Sequence, residues 1–443
     1  MDRTASERIQ DFNEVDTGFT AAEAVAEAKR CIQCKKPHCI EGCPVNINIP
    51  AFIKAIAEEQ FEDAAEIIRK DNLLPAICGR VCPQEQQCQG VCVLGKKDNP
   101  VSIGHLERFV ADNVPAKTPK CAEPSGKKVA VIGSGPAGLT AAAELARLGH
   151  KVTVFESLHK AGGVLMYGIP NFRLPKEIVQ AEIAEVEKLG VEIRTNHIAG
   201  KSVSVDELLA FDAVFLGTGA GLPYFMKIEG ENTPGVYSAN EFLTRVNLMG
   251  ANNFPANDTP VKRGRKVVVA GGGNVAMDAA RVARRMGAEV TLMYRRTEAD
   301  MPARMDEIRH AKEEGILFMT ETNPVKILAA ENTVSGVEAV KMAIGAPGAD
   351  GRSSFAPVEG SNFIVEADVV IEAIGQGPNP LLVKRMEGLV LNKNGSIKAD
   401  ANGKTSMAKV FAGGDAATGA ATVILAMGTA KEAAKAIDIA LRE

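Results

Sequence analysis

"KKVAVIGSGPAGLTAAAELARLGHKVTVFES", Lys127 to Ser157, decides the fold. It reads as an apolar strand, a glycine turn, an Ala-rich helix and a second strand. Gly133, Gly135 and Gly138 form G-x-G-x-x-G straight after the strand, with Pro136 and Ala137 completing the loop. The first glycine permits the tight turn and the second lets a pyrophosphate approach the backbone. The third lets the helix lie close to the strand, while helix N–H groups and dipole favour phosphate charge. Glu156 ends the second strand, where an acid accepts hydrogen bonds from a ribose with free hydroxyls, as in FAD or NAD.

The plan recurs in "RKVVVAGGGNVAMDAARVARRMGAEVTLMYRR", residues 265–296. Its loop offers Gly271, Gly273, Asn274, Val275 and Asp278, but its second strand ends in Arg295 and Arg296 rather than in an acid. Guanidinium binds a 2′-phosphate through forked, charge-assisted hydrogen bonds where a carboxylate would repel it, so this half reads as NADPH-selective. Arginines on a solvated surface, or holding a partner subunit, are the competing reading. Two further strand-plus-turn segments, 212–221 with Gly219 and 368–379 with Gly375, complete two nucleotide-binding units.

Near the end, strand 409–412 runs into Gly414 and Asp415, and a helix begins near Ala421 and Thr422, with Thr422 and Val423 as flavin-binding candidates. In a two-nucleotide flavoprotein this piece returns to the first unit, Asp415 meeting the ribityl–pyrophosphate region and the helix N-terminus facing the flavin pyrimidine edge. The expected class is therefore α/β: a helical N-terminal domain over 1–123, an FAD domain over 124–235 and 366–443, and an NADPH domain over 236–365 inserted in it.

Composition sets the outer limits. The 443 residues are 46% apolar and 24% charged with net charge −4, which points away from a nucleic-acid surface. The N-terminus lacks the apolar stretch of a signal peptide, and the apolar run near the end is broken by Lys431, Glu432 and Lys435, so no membrane span is expected. The expected compartment is the cytoplasm, where thiols stay reduced. Helices are expected over 20–30, 50–70 and 101–113, and a Pro- and Lys-rich linker over 114–128. Cys121 in that linker reads as incidental.

Eight of the nine cysteines fall in two sets, "CIQCKKPHCIEGCP" from Cys31 and "CGRVCPQEQQCQGVC" from Cys78. The spacings are C-x2-C-x4-C-x3-C-P and C-x3-C-P-x5-C-x3-C. Structural zinc usually takes two pairs, whereas four cysteines in one short loop before Pro are closer to ferredoxin-type ligation. Two 4Fe–4S clusters are the favoured reading, with zinc as the alternative.

These sets, with "GRVCPQEQQC", "GIPNFRLPK", "GGGNVAMDAAR" and "FAGGDA…ATVILAMG", resemble the small subunit of NADPH-dependent glutamate synthase and its relatives over nearly the whole chain. "ICGRVCPQEQQC", "HAKEEGILFM" and "YSANEFLTRVNLM" look most like the large subunit of NADH-dependent ferredoxin:NADP oxidoreductase, an electron-bifurcating enzyme. The resemblance implies that Cys31, Cys34, Cys39 and Cys92 hold one cluster. Cys43, Cys82 and Cys88 would hold the other with Glu107 as fourth ligand, Cys78 being the rival for that place. It also sets "GGVLMYGIPNFRLPK" beside the isoalloxazine, with Gly163 at its start and Arg173 and Lys176 as cations able to tune the flavin.

The resulting expectation is an electron conduit: NADPH gives hydride to FAD, which divides the pair into single electrons for the clusters. A thiol–disulfide reductase would need a redox-active pair near the flavin, and no cysteine follows Cys121. The expected partner is a second redox subunit, of ferredoxin:NAD reductase type or a glutamate synthase large subunit, with ferredoxin as a further partner. The input subunit of a dihydropyrimidine or sulfide dehydrogenase, and a zinc-bearing nucleotide sensor, are the alternatives.

Overall fold

The computed structural model describes residues 2–97, 99–347 and 353–443. Its N-terminal part is helical. Thr20 caps Ala21–Lys29 with a reciprocal Glu23 capping box, and Asn48 caps Ile49–Ala57 with Pro50 in the first turn. Ile49, Phe52, Ile53 and Ile56 all face inward, as a 3.6-residue period requires. The single helix expected over 50–70 is instead two, Ile49–Ala57 and Phe61–Asp71, parted where Glu59 turns left-handed at φ 62°. Pro75–Val81 and Ile103–Asn113 complete this part.

Two parallel five-stranded sheets follow. The first runs Val410–Ala412, Ala213–Leu216, Lys128–Ile132, Lys151–Phe155, Glu192–Arg194 across the sheet. The second runs Val236–Ser238, Val369–Glu372, Lys266–Ala270, Glu289–Tyr294, Leu317–Thr320. In each, a glycine turn leads from a central strand into a helix, Pro136–Arg147 or Asn274–Arg285. The strand Val369–Glu372 pairs with Val236–Ser238 and Lys266–Ala270, so it belongs to the second unit and not, as a boundary at 366 assigns it, to the first. Its four residues are all buried, so periodicity alone could not say which sheet they complete.

The chain crosses between the units at Leu222–Pro223 and at Gln376–Gly377, and these two short strands pair with each other. An antiparallel sheet, Thr322–Ala330, Thr333–Pro347, Ser353–Pro357 and Phe363–Glu366, is appended to the second unit. Among the described residues no helix is long and apolar enough to cross a membrane.

The helical part is not a loose appendage. Its core is continuous with that of the first sheet and the tail helix Val423–Arg442. A Cβ on Gly428 of that helix would lie 2.6 Å from the Pro44 carbonyl, so the loop behind the first cysteine set rests directly on it. Residues 2–16 cross to the second unit, where Arg8 meets Glu313 at 2.6 Å and His310 meets Asp2 at 2.9 Å.

Candidate functional site

In the first unit the glycine turn is shaped by close approach. A Cβ on Gly138 would stand 1.8 Å from the Gly133 carbonyl, whereas one on Gly135 would meet nothing within 4 Å. The third glycine is thus demanded by packing, and the second leaves the face open that a pyrophosphate would use. Glu156 Oε2 accepts from the Ser134 backbone N–H (2.9 Å) and hydroxyl (2.5 Å), and Oε1 from Leu158 N–H (2.8 Å). Ser157 Oγ also donates to Oε1 (3.2 Å), so the acid ties the turn to the second strand through four bonds, and a ribose would take the place of one of the hydroxyls.

Gly163 lies on this turn, its Cβ direction ending 2.9 Å from Gly135 Cα. Gly414 abuts Ala137, and Asp415 beside it is pushed up to about 6 by burial. Thr422 caps the tail helix through Leu425 N–H, with Val423 as its first residue. Gly219 adopts φ 68° over open space. Tyr167 is a residue that sequence reasoning missed: its phenol is pushed up to about 12, first by burial and then by the charges of Glu156 and Asp415. The only available sign was a tyrosine, one of four in the chain, inside the quoted 162–176 segment.

In the second unit Gly271, Gly273, Asn274, Val275, Arg295, Arg296 and Gly375 line one cavity of about 780 Å³. Gly271 holds φ 146°, where a Cβ would stand 2.3 Å from the Ala373 carbonyl. Arg296 stacks over Phe355 at 5.7 Å, and among the described residues neither it nor Arg295 is in an ion pair. Glu372, also missed, lines the same cavity with both oxygens buried and without partners, and burial pushes it up to about 7.

Asp278 does not reach this cavity. It turns the other way and takes both terminal bonds of Arg173 Nη1, at 2.9 and 2.8 Å. Arg173 Nε meets Glu307 at 3.0 Å, and Glu307 also bonds Arg281. Glu307 stays well down because Arg173 and Arg281 outweigh its burial. Phe172 beside Arg173 is overlaid by Arg285 at 3.9 Å and Arg281 at 4.7 Å. Arg173 and Asp278 are thus partners in a buried junction between the two units, rather than groups that line the nucleotide cavity. Lys176 donates to the carbonyls of Leu165 (2.9 Å) and Ile169, and burial brings it down to about 7.

The cysteines divide into two groups. Cys31, Cys34, Cys39 and Cys92 line one surface cleft. Burial pushes Cys39 up to about 11, and the neighbouring Cys31, Cys92 and Cys34 thiols add to it. Deeper in, Cys43 and Cys88 are raised by burial and then by Glu107 and Cys82. Glu107 is itself buried and pushed up to about 7, its Oε1 accepting from Asn72 Nδ2 at 2.6 Å. Cys78 is buried beside this group: its thiol is raised first by a hydrogen bond with Cys82 and then by burial, and it also meets Asn72 Oδ1 (3.7 Å) and Met427 Sδ (3.6 Å).

Among the described residues no three His, Cys, Asp or Glu side chains converge as one metal ion would require. A tetrahedral zinc site, with Zn–S at about 2.3 Å, needs such a convergence. Crowded, buried thiols of this kind fit a larger cationic cluster core that would stabilise them as thiolates. The open cradle at Gly135 fits a flavin dinucleotide, and the large cavity with its unpaired guanidiniums and orphaned Glu372 fits NADP(H).

Residues 127–438 match the family "Pyridine nucleotide-disulphide oxidoreductase", and residues 8–118 match "Dihydropyrimidine dehydrogenase domain II, 4Fe-4S cluster". The glutamate synthase [NADPH] small chain of Escherichia coli is 38% identical over 440 residues, covering 96% of this chain and 93% of its own. The chain belongs to the FAD/NADPH iron–sulfur superfamily of that subunit.

Two other relatives of the superfamily are as similar. They are the NADP(+)-dependent formate dehydrogenase subunit beta of Moorella thermoacetica and the NADPH-Fe(3+) oxidoreductase subunit beta of Geobacter sulfurreducens, each 38% identical. They cover 99% and 96% of this chain, which spans 64% and 66% of theirs. Mycobacterium tuberculosis FprA in complex with NADPH shares the fold, with a TM-score of 0.61 at 20% identity over 72% of this chain and 85% of its own. As a superfamily member the chain is an NAD(P)H-dependent oxidoreductase that uses FAD, NADP(H) and 4Fe–4S chemistry.

Proposed function

We propose that this chain is the NADPH-side subunit of a multi-subunit ferredoxin:NAD(P) oxidoreductase, a bifurcating one, and that two 4Fe–4S clusters carry its electrons to a second redox subunit. Cys31, Cys34, Cys39 and Cys92 would hold the outer cluster, and Cys43, Cys82, Cys88 and Glu107 the inner one. A bound flavin supplies the exchange between hydride and single electrons.

One observation carries the conduit. Gln87, from the second cysteine loop, donates to Thr422 Oγ1 at 3.5 Å at the N-terminus of the tail helix. That cap sits beside Asp415 and Gly414, which abut the first glycine turn. Cysteine loop and flavin cradle thus share one support, and Cys43, Cys82 and Cys88 are buried while Cys31, Cys34, Cys39 and Cys92 are half-buried, an order that supports an inner and an outer cluster.

The second reading, an NADPH-dependent glutamate synthase small subunit, is favoured by the near-complete match to that chain. The two separate cleanly in an anaerobic assay of the purified complex. Ferredoxin reduction by NADPH that requires NAD supports the first, and glutamate formation from glutamine and 2-oxoglutarate establishes the second. A preparation without flavin or iron overturns both.

A further inference from the structure

Away from both nucleotide sites, a cavity of about 460 Å³ lies where three parts of the chain meet. Its walls are Phe61–Asp71 of the helical domain, the linker 114–120, and the helices Pro136–Arg147 and Lys176–Glu187. Leu73, Val114, Val186 and Leu189 make much of it apolar, and its volume lies in the range of small-molecule sites. The linker closes over it through Lys117, which pairs with Glu62 (3.2 Å) and Glu66 (3.0 Å).

Three polar side chains, Arg69, Arg147 and Glu182, line the cavity. Arg69 donates to Val114 O (3.1 Å) and Arg147 to Arg69 O (3.4 Å), so each guanidinium is bound to a neutral carbonyl. The nearest acid to Arg147 is Glu144 at 3.8 Å, and its Nε is buried without a partner. Glu182, only 9% exposed, gives Oε1 to the Ala76 N–H at 3.2 Å while Oε2 is buried and unpartnered. The rim acids are already engaged, Glu62 and Glu66 by Lys117 and Glu185 by Lys188. What remains unsatisfied is a guanidinium N–H and a carboxyl oxygen at the end of an apolar chamber.

We propose that this cavity binds an amphiphilic carboxylate, its head between Arg147 and Glu182 and its tail along Leu73, Val186 and Leu189. Burial pushes Glu182 up to about 8, so near neutral pH its carboxyl is a hydrogen-bond donor, and Arg69, Arg80 and Glu107 are the charged groups that face it. Burial also lowers Arg69 and Arg147, outweighing Glu182 and Glu185 at the first and Glu144 at the second. Two donors, with Glu144 held off at 3.8 Å from Arg147 Nη1, select a carboxylate over an alcohol or an amine. The Oε1–Ala76 bond would connect the occupant to Pro75–Val81, the helix that carries Cys78 and leads into Cys82.

The test is an anaerobic calorimetric titration of the full, flavin- and iron-loaded chain with octanoate, and with octanol as its uncharged counterpart. One octanoate should bind per chain, with octanol weaker by about tenfold or more, the worth of one charge-assisted hydrogen bond. Arg147→Met and Glu182→Leu should each weaken octanoate by a similar factor. Unchanged flavin absorbance and iron content would show those variants intact. Equal affinity for octanol, an unaltered affinity in Arg147→Met, or no saturable heat would overturn the site. The octanol comparison decides on wild-type protein alone if neither variant folds.

Discussion

Arg304 Nη2 donates to Gln84 Oε1 at 3.1 Å, joining the second nucleotide unit to the second cysteine loop. Arg304's own N–H is held by Asn274 Oδ1 at 3.0 Å, and Asn274 lines the nucleotide cavity. Gln84 in turn donates to the carbonyls of Cys78 and Gly79, both at 3.3 Å. Four residues thus span the distance from nucleotide loop to cysteine helix. Arg304→Met would leave Gln84 Oε1 and the Arg80 carbonyl short of a donor in a partly buried interface. A loss of about 1–3 kcal/mol is expected, read as a lower denaturant midpoint at unchanged flavin content.

The junction beneath Phe172 should be far more sensitive. Arg173→Met leaves Asp278 and Glu307 as buried acids without their shared cation. Breaking one side of such a network costs about 3–5 kcal/mol. Asp278→Asn, which keeps shape and one acceptor, should cost less. Urea unfolding of both variants checks the order, and NADPH affinity should change less in Asp278→Asn than in any Arg295 or Arg296 variant.

For Arg295 and Arg296 the expected result is a change of nucleotide. Replacing both by Gln removes the two cations that line the cavity without an ion pair among the described residues. Selectivity for NADPH over NADH should fall by about one to two orders of magnitude, from charge-assisted bonds of about 1.5–3 kcal/mol each. The ratio of kcat/KM for the two nucleotides measures it.

At the inner thiol group, Glu107→Ala and Cys78→Ala should behave oppositely. Glu107 is coupled to Cys43 and Cys88, whereas Cys78 reaches only Cys82 of the inner thiols by a hydrogen bond and is otherwise held by Asn72 and Met427. Cys78→Ala is expected to retain the full iron and acid-labile sulfide content. Glu107→Ala should lose one cluster's share of both, and equal content in the two variants would reverse the assignment.

Glu182 gives a pH signature. Folded, it holds its proton up to about 8, while the unfolded chain releases it near the ordinary 4.5. Between those values the native state binds the extra proton, so its contribution to stability falls as pH rises. Against Glu182→Gln, the wild type should lose up to about 1 kcal/mol per pH unit across that window. Parallel thermal melts from pH 5 to 8 would reveal the difference; parallel curves would refute it.

What could be read from the residues alone was whatever depends on local spacing. Gly133, Gly135 and Gly138 are legible because their reason is a turn and a contact within five residues. Thr422 is legible because a cap is a matter of one helical turn. Asp278 misled because an acid one turn into a glycine-loop helix carries no mark of the direction it faces. That direction was fixed by Arg173, more than a hundred residues earlier in the chain. Glu372, Gln84 and Arg304 were invisible for the same reason: each acquires meaning only from a neighbour brought in by the fold. The left-handed turn at Glu59 falls among polar residues that fit a helix as readily as a break.

The arm formed by residues 2–16 has a consequence for how the protein is made. Arg8 is among the most buried side chains, yet its partner Glu313 lies 305 positions downstream, and Asp2 waits for His310 over 308. At ribosomal rates that interval lasts roughly 15–60 s. Throughout it, Glu14 and Asp16 can already pair with Arg80, Arg108 and His105, but Asp2 and Arg8 lack their partners on the second unit. Nascent chains of this protein therefore pass through a prolonged stage in which the iron–sulfur half is complete in sequence while its first residues remain open to proteases and chaperones. Protection of residues 2–8 should appear only after residue 314 has left the exit tunnel, later than that of residues 12–16.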